Sequence, residues 1–412
     1  MYNPPIKNIC TFKEDTQMRK LGLLPKILLG IASGIVIGAY APEWFVKIFA
    51  TFNGLFGNFL GFAIPLIIIG FIAPGIGSMG KGAGKLLGLT TALAYGSTVL
   101  AGLLAFVVAK SIYPSLLANQ TSQSFENPEE ALLKGFFTVD MPPIMGVMSA
   151  LLIAFTIGLG MAAIKGDTLQ KGMDEFRNII ELVIEKIIIP LLPIHILGIF
   201  ANMTQGGQVS AIMSVFAKVF VMIILLHLIF LVIQYTAAGT LRKQNPLSMM
   251  KGMLPAYFTA LGTQSSASTI PVTLERAKKI GARERIADFS VPLLATIHLS
   301  GSTITLVSCA MAVMFIQGEA LQFSQLFPFI LMLGITMIAA PGVPGGAVMA
   351  ALGLLETMLG FGPTMTSLMI ALYLAQDSFG TACNVTGDGA ITSIVDKLTQ
   401  KKKARVSSIK VS

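Results

Sequence analysis

Residues 252–279 read GMLPAYFTALGTQSSASTIPVTLERAKK, with Lys251 before them and Arg283 and Arg285 just beyond the terminal Arg276, Lys278 and Lys279. Clustered Lys and Arg next to apolar segments mark cytoplasmic ends of membrane proteins. Basic residues on both flanks therefore rule out a single crossing: the segment enters the bilayer and turns back. The turn falls at Gln264-Ser-Ser-Ala-Ser268. Hydroxyls and unpaired backbone at depth are tolerated only where protein or a water-filled cavity meets them. A second such segment, 325–360, has two apolar arms around Ala340-Pro-Gly-Val-Pro-Gly-Gly346, a run that cannot continue a helix. It enters from the opposite side.

The rest of the chain supports a membrane setting. Of 412 residues 54% are hydrophobic and only 12% charged, far from the soluble globular norm. Apolar runs predict spans at 22–40, 54–76, 86–113, 143–164, 175–204, 210–240, 287–317 and 363–396. Basic loops alternate between them. Arg19, Lys20 and Lys26, then Lys81 and Lys85, then Lys165 and Lys171, then Arg242 and Lys243 lie on one side, and the acidic 114–142 segment lies on the other. This topology accounts for the net charge of +9 without a nucleic-acid partner. It puts both termini in the cytoplasm, ending in a basic tail at 397–412. The first span lacks a small-residue cleavage site, so no cleaved signal peptide is read. Cys10, Cys309 and Cys383 have neither metal-type nor disulfide-framework spacing and read as free thiols.

The expected fold is an all-α polytopic membrane protein of eight transmembrane helices plus two re-entrant helical hairpins. Residues 1–20 form a cytoplasmic segment, 21–246 mainly a scaffold to which 86–113 is the exception, and 247–396 a transport core. A hairpin followed by a broken span occurs twice with opposite entry sides, which is inverted-repeat logic, and in such transporters interrupted segments hold substrate and ions near the midplane. Asp377 and Asp388 then stand out, because a carboxylate within a span costs roughly 2.5–3.5 kcal/mol on insertion scales and is functional by default. Eleven residues apart on one helix, both can face the core. Gly387 predicts local unwinding beside Asp388, with carbonyls and Asn384 joining the carboxylate around a small hard cation. Asp377 suits an α-ammonium group. In the seventh span Gly301 predicts a break among His298, Ser300 and Ser302, with His298 either a hydrogen-bonded core residue or a ligand or proton carrier. His195 and His227, with less polar company, read as structural. Ser97 and Thr98 are candidate oxygen ligands against the commoner alternative of bonding to their own helix.

With these residues assembled, the chain resembles the dicarboxylate/amino-acid:cation symporters, the glutamate-transporter fold, over essentially its full length. The resemblance rests on Ser265-Ser266 with Thr269-Ile-Pro271, on Pro341-Gly-Val-Pro-Gly345 and on Asn384-Val-Thr-Gly-Asp388. It implies a homotrimer in the cytoplasmic membrane, the inner membrane of the cell, whose transport domains move like elevators against a static scaffold. It further implies that the backbone at Ser265, Ser266 and Ala267 and at Val343 to Gly345 clamps the substrate, that Asp377 holds its amino group, and that Asn384 with Ser302 fixes its carboxylate near Gly380 and Thr381. Asn384 and Asp388 would make one sodium site, Thr296 and Leu299 another through carbonyls, and Ser97 and Thr98, near His298 and Ser300, a third.

Two departures bear on substrate and ions. Acidic-substrate members of the family carry an Arg one turn after the amino-binding Asp, where this chain has Gly380, and Gln264 in the first hairpin is also neutral. A buried second carboxylate would then lack its bidentate partner. Those members also read Asn-Met-Asp-Gly-Thr where this chain reads His298-Leu-Ser-Gly-Ser302, so Ser300 replaces a carboxylate of the extra sodium site. Both departures, with Gln376-Asp-Ser378, look like the bacterial serine/threonine branch. The expected function is sodium-coupled symport of a small neutral amino acid, not an enzyme activity. The alternative is a proton- or sodium-coupled dicarboxylate or acidic amino-acid carrier with His298 titrating. A channel or intramembrane hydrolase is disfavoured, since Ser300 and His298, two residues apart, share a helix face poorly.

Overall fold

The computed structural model describes residues 23–79, 84–117, 132–207, 209–338, 340 and 345–400. Every regular element among them is helical, and none is a strand. The first spans are α1 (Leu23–Tyr40), α2 (Glu43–Met79), α3 (Gly84–Leu116) and α4 (Val147–Ala163), each close to the apolar run that predicts it except α2, which begins eleven residues earlier at an N-terminal Glu43. An acidic residue in a first turn suits the helix dipole. The expected span 175–204 belongs to one longer run, α5 (Thr168–Val183), a π turn at Ile184–Ile188 and α6 (Ile189–Gln205). Then comes α7 (Val209–Arg242). Among the described residues five segments are long and apolar enough to cross a membrane: Glu43–Ser78, Leu86–Leu116, Thr168–Gln205, Met213–Arg242 and Glu284–Ile316. The chain is a multi-pass membrane protein.

Both predicted hairpins are present. After the short α8 (Pro246–Gly252), α9 (Leu254–Thr263) and α10 (Ser266–Lys279) form the first. The turn is confined to Gln264, in the left-handed region, and Ser265, whose Oγ accepts from Ser268 N at 3.3 Å and so caps α10. The second consists of α13 (Phe323–Met337) and α14 (Gly346–Leu359). Its 341–344 tip, Val343 included, lies outside the described residues.

The two broken spans break elsewhere than their glycines predict. The seventh is α11 (Glu284–Ile297) and α12 (Ser300–Ile316), interrupted at His298 and Leu299. Gly301 is helical, and a Cβ on it would come within 2.4 Å of Gly380 O and 2.6 Å of Cys383 Cβ. The last is α15 (Pro363–Leu374) and α16 (Asp377–Leu398), interrupted at Ala375–Gln376, with α16 continuous through Gly387. A Cβ on Gly387 would meet Gln234 Oε1 at 2.7 Å and His298 Cε1 at 3.0 Å. Both glycines serve close approach rather than unwinding.

Packing divides the helices into two bodies. In the first, α1 lies on α6, and α2 lies on α4, α5 and α6. In the second, α3 and α7 join the hairpins and broken spans around α12 and α16. The span expected at 210–240 and assigned to the scaffold from sequence packs, as α7, on α12 and α16. Tyr235 on α7 donates to Thr386 O at 2.6 Å, and His227 Nε2 lies 3.0 Å from Gly301 O. Polar groups on an apolar span must find protein partners, and those on α7 find them on α3, α12 and α16.

Candidate functional site

Hairpin one, the seventh-span break, hairpin two and the last-span break converge on one small cavity. Gln264 and Ser266 come from the first hairpin, Leu299 and Ser302 from the seventh span, and Ala340 and Ala347 from the second hairpin. Asp377, Thr381 and Asn384 project from α16, Tyr373 from the end of α15, and Ala295 from α11. The volume is about 20 Å³, room for about one water molecule.

Asn384 organises this wall. Its Oδ1 accepts from Gly301 N at 2.7 Å and Ser302 N at 3.3 Å, and its Nδ2 donates to Ser302 Oγ at 2.9 Å. Gly301 and Ser302 are in the first turn of α12, whose amides lack helical partners, so a side chain from another helix caps them. Asp377, buried, accepts from Gly345 N through Oδ2 at 2.7 Å. Gly345 has φ +76°, which a side chain would strain, and so aims its amide at the carboxylate. The second hairpin is thereby latched to the last span at the head of the cavity. A carboxylate has about four acceptor positions, so Asp377 retains capacity for a cationic group.

A second polar cluster lies deeper. His298 Nδ1 meets Asp388 Oδ1 at 2.8 Å, and His298 Nε2 meets Ser97 Oγ at 3.0 Å and Gln234 Nε2 at 3.3 Å. Gln234 Nε2 also donates to Ser97 Oγ at 2.9 Å. A neutral imidazole satisfies this pattern, with Nδ1–H donating to Asp388 and Nε2 accepting. Ser97, His298 and Asp388 follow the order of a hydrolytic triad, but all three are buried and none lines the cavity. Around them Asp388 Oδ2, Thr98 Oγ1, Ser300 Oγ and Thr386 Oγ1 are buried without a hydrogen-bond partner. Each is a hard oxygen donor of the kind that alkali cations take.

Residues 23–398 match the sodium:dicarboxylate symporter family. The chain belongs to that family. It is accordingly a transporter for a small-molecule substrate, and membership in a symporter family accounts for polar groups buried inside an apolar chain.

Within this symporter, Ser266, Ser302, Asp377, Thr381 and Asn384 line the cavity, and so does Leu299, whose expected role is to give a carbonyl to a sodium site. Ser265 caps the hairpin, Ala267 is exposed on the first turn of α10, and Gly345 binds Asp377 instead of facing the cavity. Gly380 packs on α12, where a Cβ would meet Ser302 N at 3.4 Å. Thr296 is exposed, with its hydroxyl returned to Leu293 O at 2.7 Å, and Leu299 O accepts from Thr303 N. The expected open set of Ser97, Thr98, His298 and Ser300 has a different arrangement, since Ser97 and His298 bond to each other across helices. His227 and His195 have more polar company than expected. Thr305 Oγ1 adds to Gly301 O for His227, and His195 sits between Asn53 at 3.1 Å and Ser367 Oγ at 3.2 Å. Tyr373 is the large cavity residue that sequence reasoning misses. Its one signal is position, a single turn before Asp377.

Proposed function

We propose that this transporter carries a small neutral amino acid in symport with sodium. One observation carries the reading: Asp377 is the only carboxylate lining the cavity, and no Lys, Arg or His lines it among the described residues. An ammonium group complements that charge, whereas a dicarboxylate would bring like charge to a buried carboxylate with no cation to offset it. The substrate ammonium would bind Asp377. Its carboxylate would use the second Nδ2–H of Asn384, the Ser302 hydroxyl and the first-hairpin backbone at Ser265–Ala267. Sodium would be held by Asp388 with Thr98 and Ser300. His298, engaged at both ring nitrogens, braces Asp388 instead of ligating, and fewer ions are coupled than in acidic-substrate relatives. Thr296 would offer its carbonyl at the α11 end, where a helix leaves its last carbonyls unpaired, and Leu299 the remaining lone pair of a carbonyl that already accepts from Thr303 N.

The division into two bodies supports an elevator in which α3 and α7–α16 move against α1, α2 and α4–α6 within a homotrimer in the cytoplasmic membrane, both termini inside. The test is a thermal-shift panel of amino acids and dicarboxylates on detergent-purified protein, in sodium and in choline. Stabilisation by serine-sized amino acids only in sodium is expected. Stabilisation by succinate or aspartate in wild type, or indifference to sodium alongside a response to a proton gradient, would replace this reading with the dicarboxylate or proton-coupled one.

A further inference from the structure

The amino-acid reading assigns partners to the substrate's ammonium and carboxylate and leaves the bulkiest wall of the cavity without a role. That wall is Tyr373. It lies in the last turn of α15, immediately before the break that lets α16 start at Asp377, and its side chain is 0% exposed. Its hydroxyl stands beside the Asp377 carboxylate and the Ser302 hydroxyl, without full hydrogen-bond geometry to either. A buried phenol normally completes a hydrogen bond, because leaving the group unmade forfeits its hydration. Asp377 and Ser302 are also the groups that the substrate's own ammonium and carboxylate would occupy. Once they are engaged, the direction left to the phenol is the cavity itself, where the substrate side chain has to lie.

The other walls leave this role to Tyr373. Ala295, Ala340 and Ala347 present only methyl groups, Ser266 and Thr381 are short, Leu299 is apolar and Gln264 belongs to the first-hairpin turn, so that Tyr373 is the one aromatic ring in the lining among the described residues. A cavity of about 20 Å³ must already widen to admit an amino acid, and a rigid ring on one side limits by how much.

We propose that Tyr373 is the residue that selects the substrate side chain. Its ring excludes side chains larger than those of serine and threonine, and its hydroxyl bonds a side-chain hydroxyl, so that serine is preferred over alanine. The phenol is a neutral group and cannot offset a second carboxylate. This inference rests on the amino-acid reading of the same cavity.

The experiment is competition for sodium-driven uptake of labelled serine into proteoliposomes by unlabelled serine, alanine, threonine and leucine, in wild type, Tyr373→Phe and Tyr373→Ala. In wild type, serine should outcompete alanine by about tenfold, the value of one buried hydrogen bond. Tyr373→Phe, nearly isosteric and so expected to fold, should bring serine and alanine to within about twofold while alanine's own inhibition constant stays put. Tyr373→Ala should admit leucine. An unchanged serine-to-alanine ratio in Tyr373→Phe, at unchanged protein level and sodium dependence, overturns the role of Tyr373 and leaves the amino-acid reading standing. Absence of any amino-acid competition in wild type overturns both.

Discussion

Two helix seams in this molecule are equally close and chemically opposite. Where α1 meets α6, Gly30, Gly34 and Gly38 face the backbone so closely that a Cβ on each would lie 2.6, 2.4 and 2.3 Å from the carbonyl oxygens of Pro193, Leu197 and Ala201. That seam is backbone against backbone, and the outer faces of α1, with Leu28, Leu29 and Val36, are exposed and apolar. Where α12 meets α16, Gly301 and Gly380 allow the same approach, but Asn384, Ser302, His298 and Asp388 are buried alongside. In lipid, helices gain little by hiding apolar surface from one another, so close packing by small residues suffices for a static seam. Polar groups there are a cost that only a function explains. The buried oxygens and nitrogens that lack partners follow the same division: Gln170, Arg177 and Gln205 contribute in the α1, α2, α4–α6 body, and the others, Asp388 and Ser300 among them, lie in the body around α12 and α16.

The comparison breaks most sharply at Asp388. Asp388→Asn should abolish the stabilisation that sodium confers while the purified protein keeps its oligomeric size, because the neutral amide preserves the shape and removes the only carboxylate of the deep cluster. A sodium titration by thermal shift reads this directly, and wild-type sodium affinity in the variant would falsify the assignment.

Next in size is the far end of α16. Asp396, 1% exposed, accepts from Arg242 Nη1 at 2.7 Å and from Arg283 Nε, and Arg242 is itself only 9% exposed. Removing the carboxylate strands a buried guanidinium, and Asp396→Ala is expected to cost about 3–5 kcal/mol of stability. Replacing a partly exposed partner instead, as in Arg283→Ala, should cost distinctly less. Equal losses would mean that the cluster is a surface ion pair.

The glycine seams sharpen the contrast at smaller scale. Gly34→Ala and Gly301→Ala each force backbone apart and should each destabilise by about 1–3 kcal/mol. Only Gly301→Ala should also weaken substrate binding, since it displaces the amide that Asn384 caps. Isothermal titration on both variants separates packing from site geometry.

The smallest effect belongs to one hydrogen bond between the bodies, which also touch where α14 meets α2 and α4. Ser367 on α15 meets His195 Nε2 on α6 at 3.2 Å, and Ser367 Oγ also donates to Pro363 O at 2.7 Å. Ser367→Ala should remove about 0.5–1.5 kcal/mol of coupling between them. If the bodies slide past each other, the turnover rate changes while KM does not. A change in KM alone would place this contact outside the motion.

Much of this architecture is legible without coordinates. Apolar run length set the spans, since backbone groups in lipid must be satisfied within the helix. Basic flanks on both sides of 252–279 required a hairpin, and the cost of a buried carboxylate marked Asp377 and Asp388 in advance. Three things were decided only by tertiary structure. A glycine in a sequence is ambiguous between conformational freedom and the absence of a side chain, and at Gly301 and Gly387 a neighbouring helix made the choice, leaving the breaks at His298–Leu299 and Ala375–Gln376. A polar side chain does not name its partner, and His298 found Ser97 and Asp388, 201 and 90 residues away, instead of its neighbour Ser300. A large aromatic residue before a predicted site reads as core, and only the meeting of two hairpins and two broken spans put Tyr373 on the cavity wall. Local chemistry determines which groups cannot face lipid, and the choice of partner belongs to packing between segments far apart in the chain.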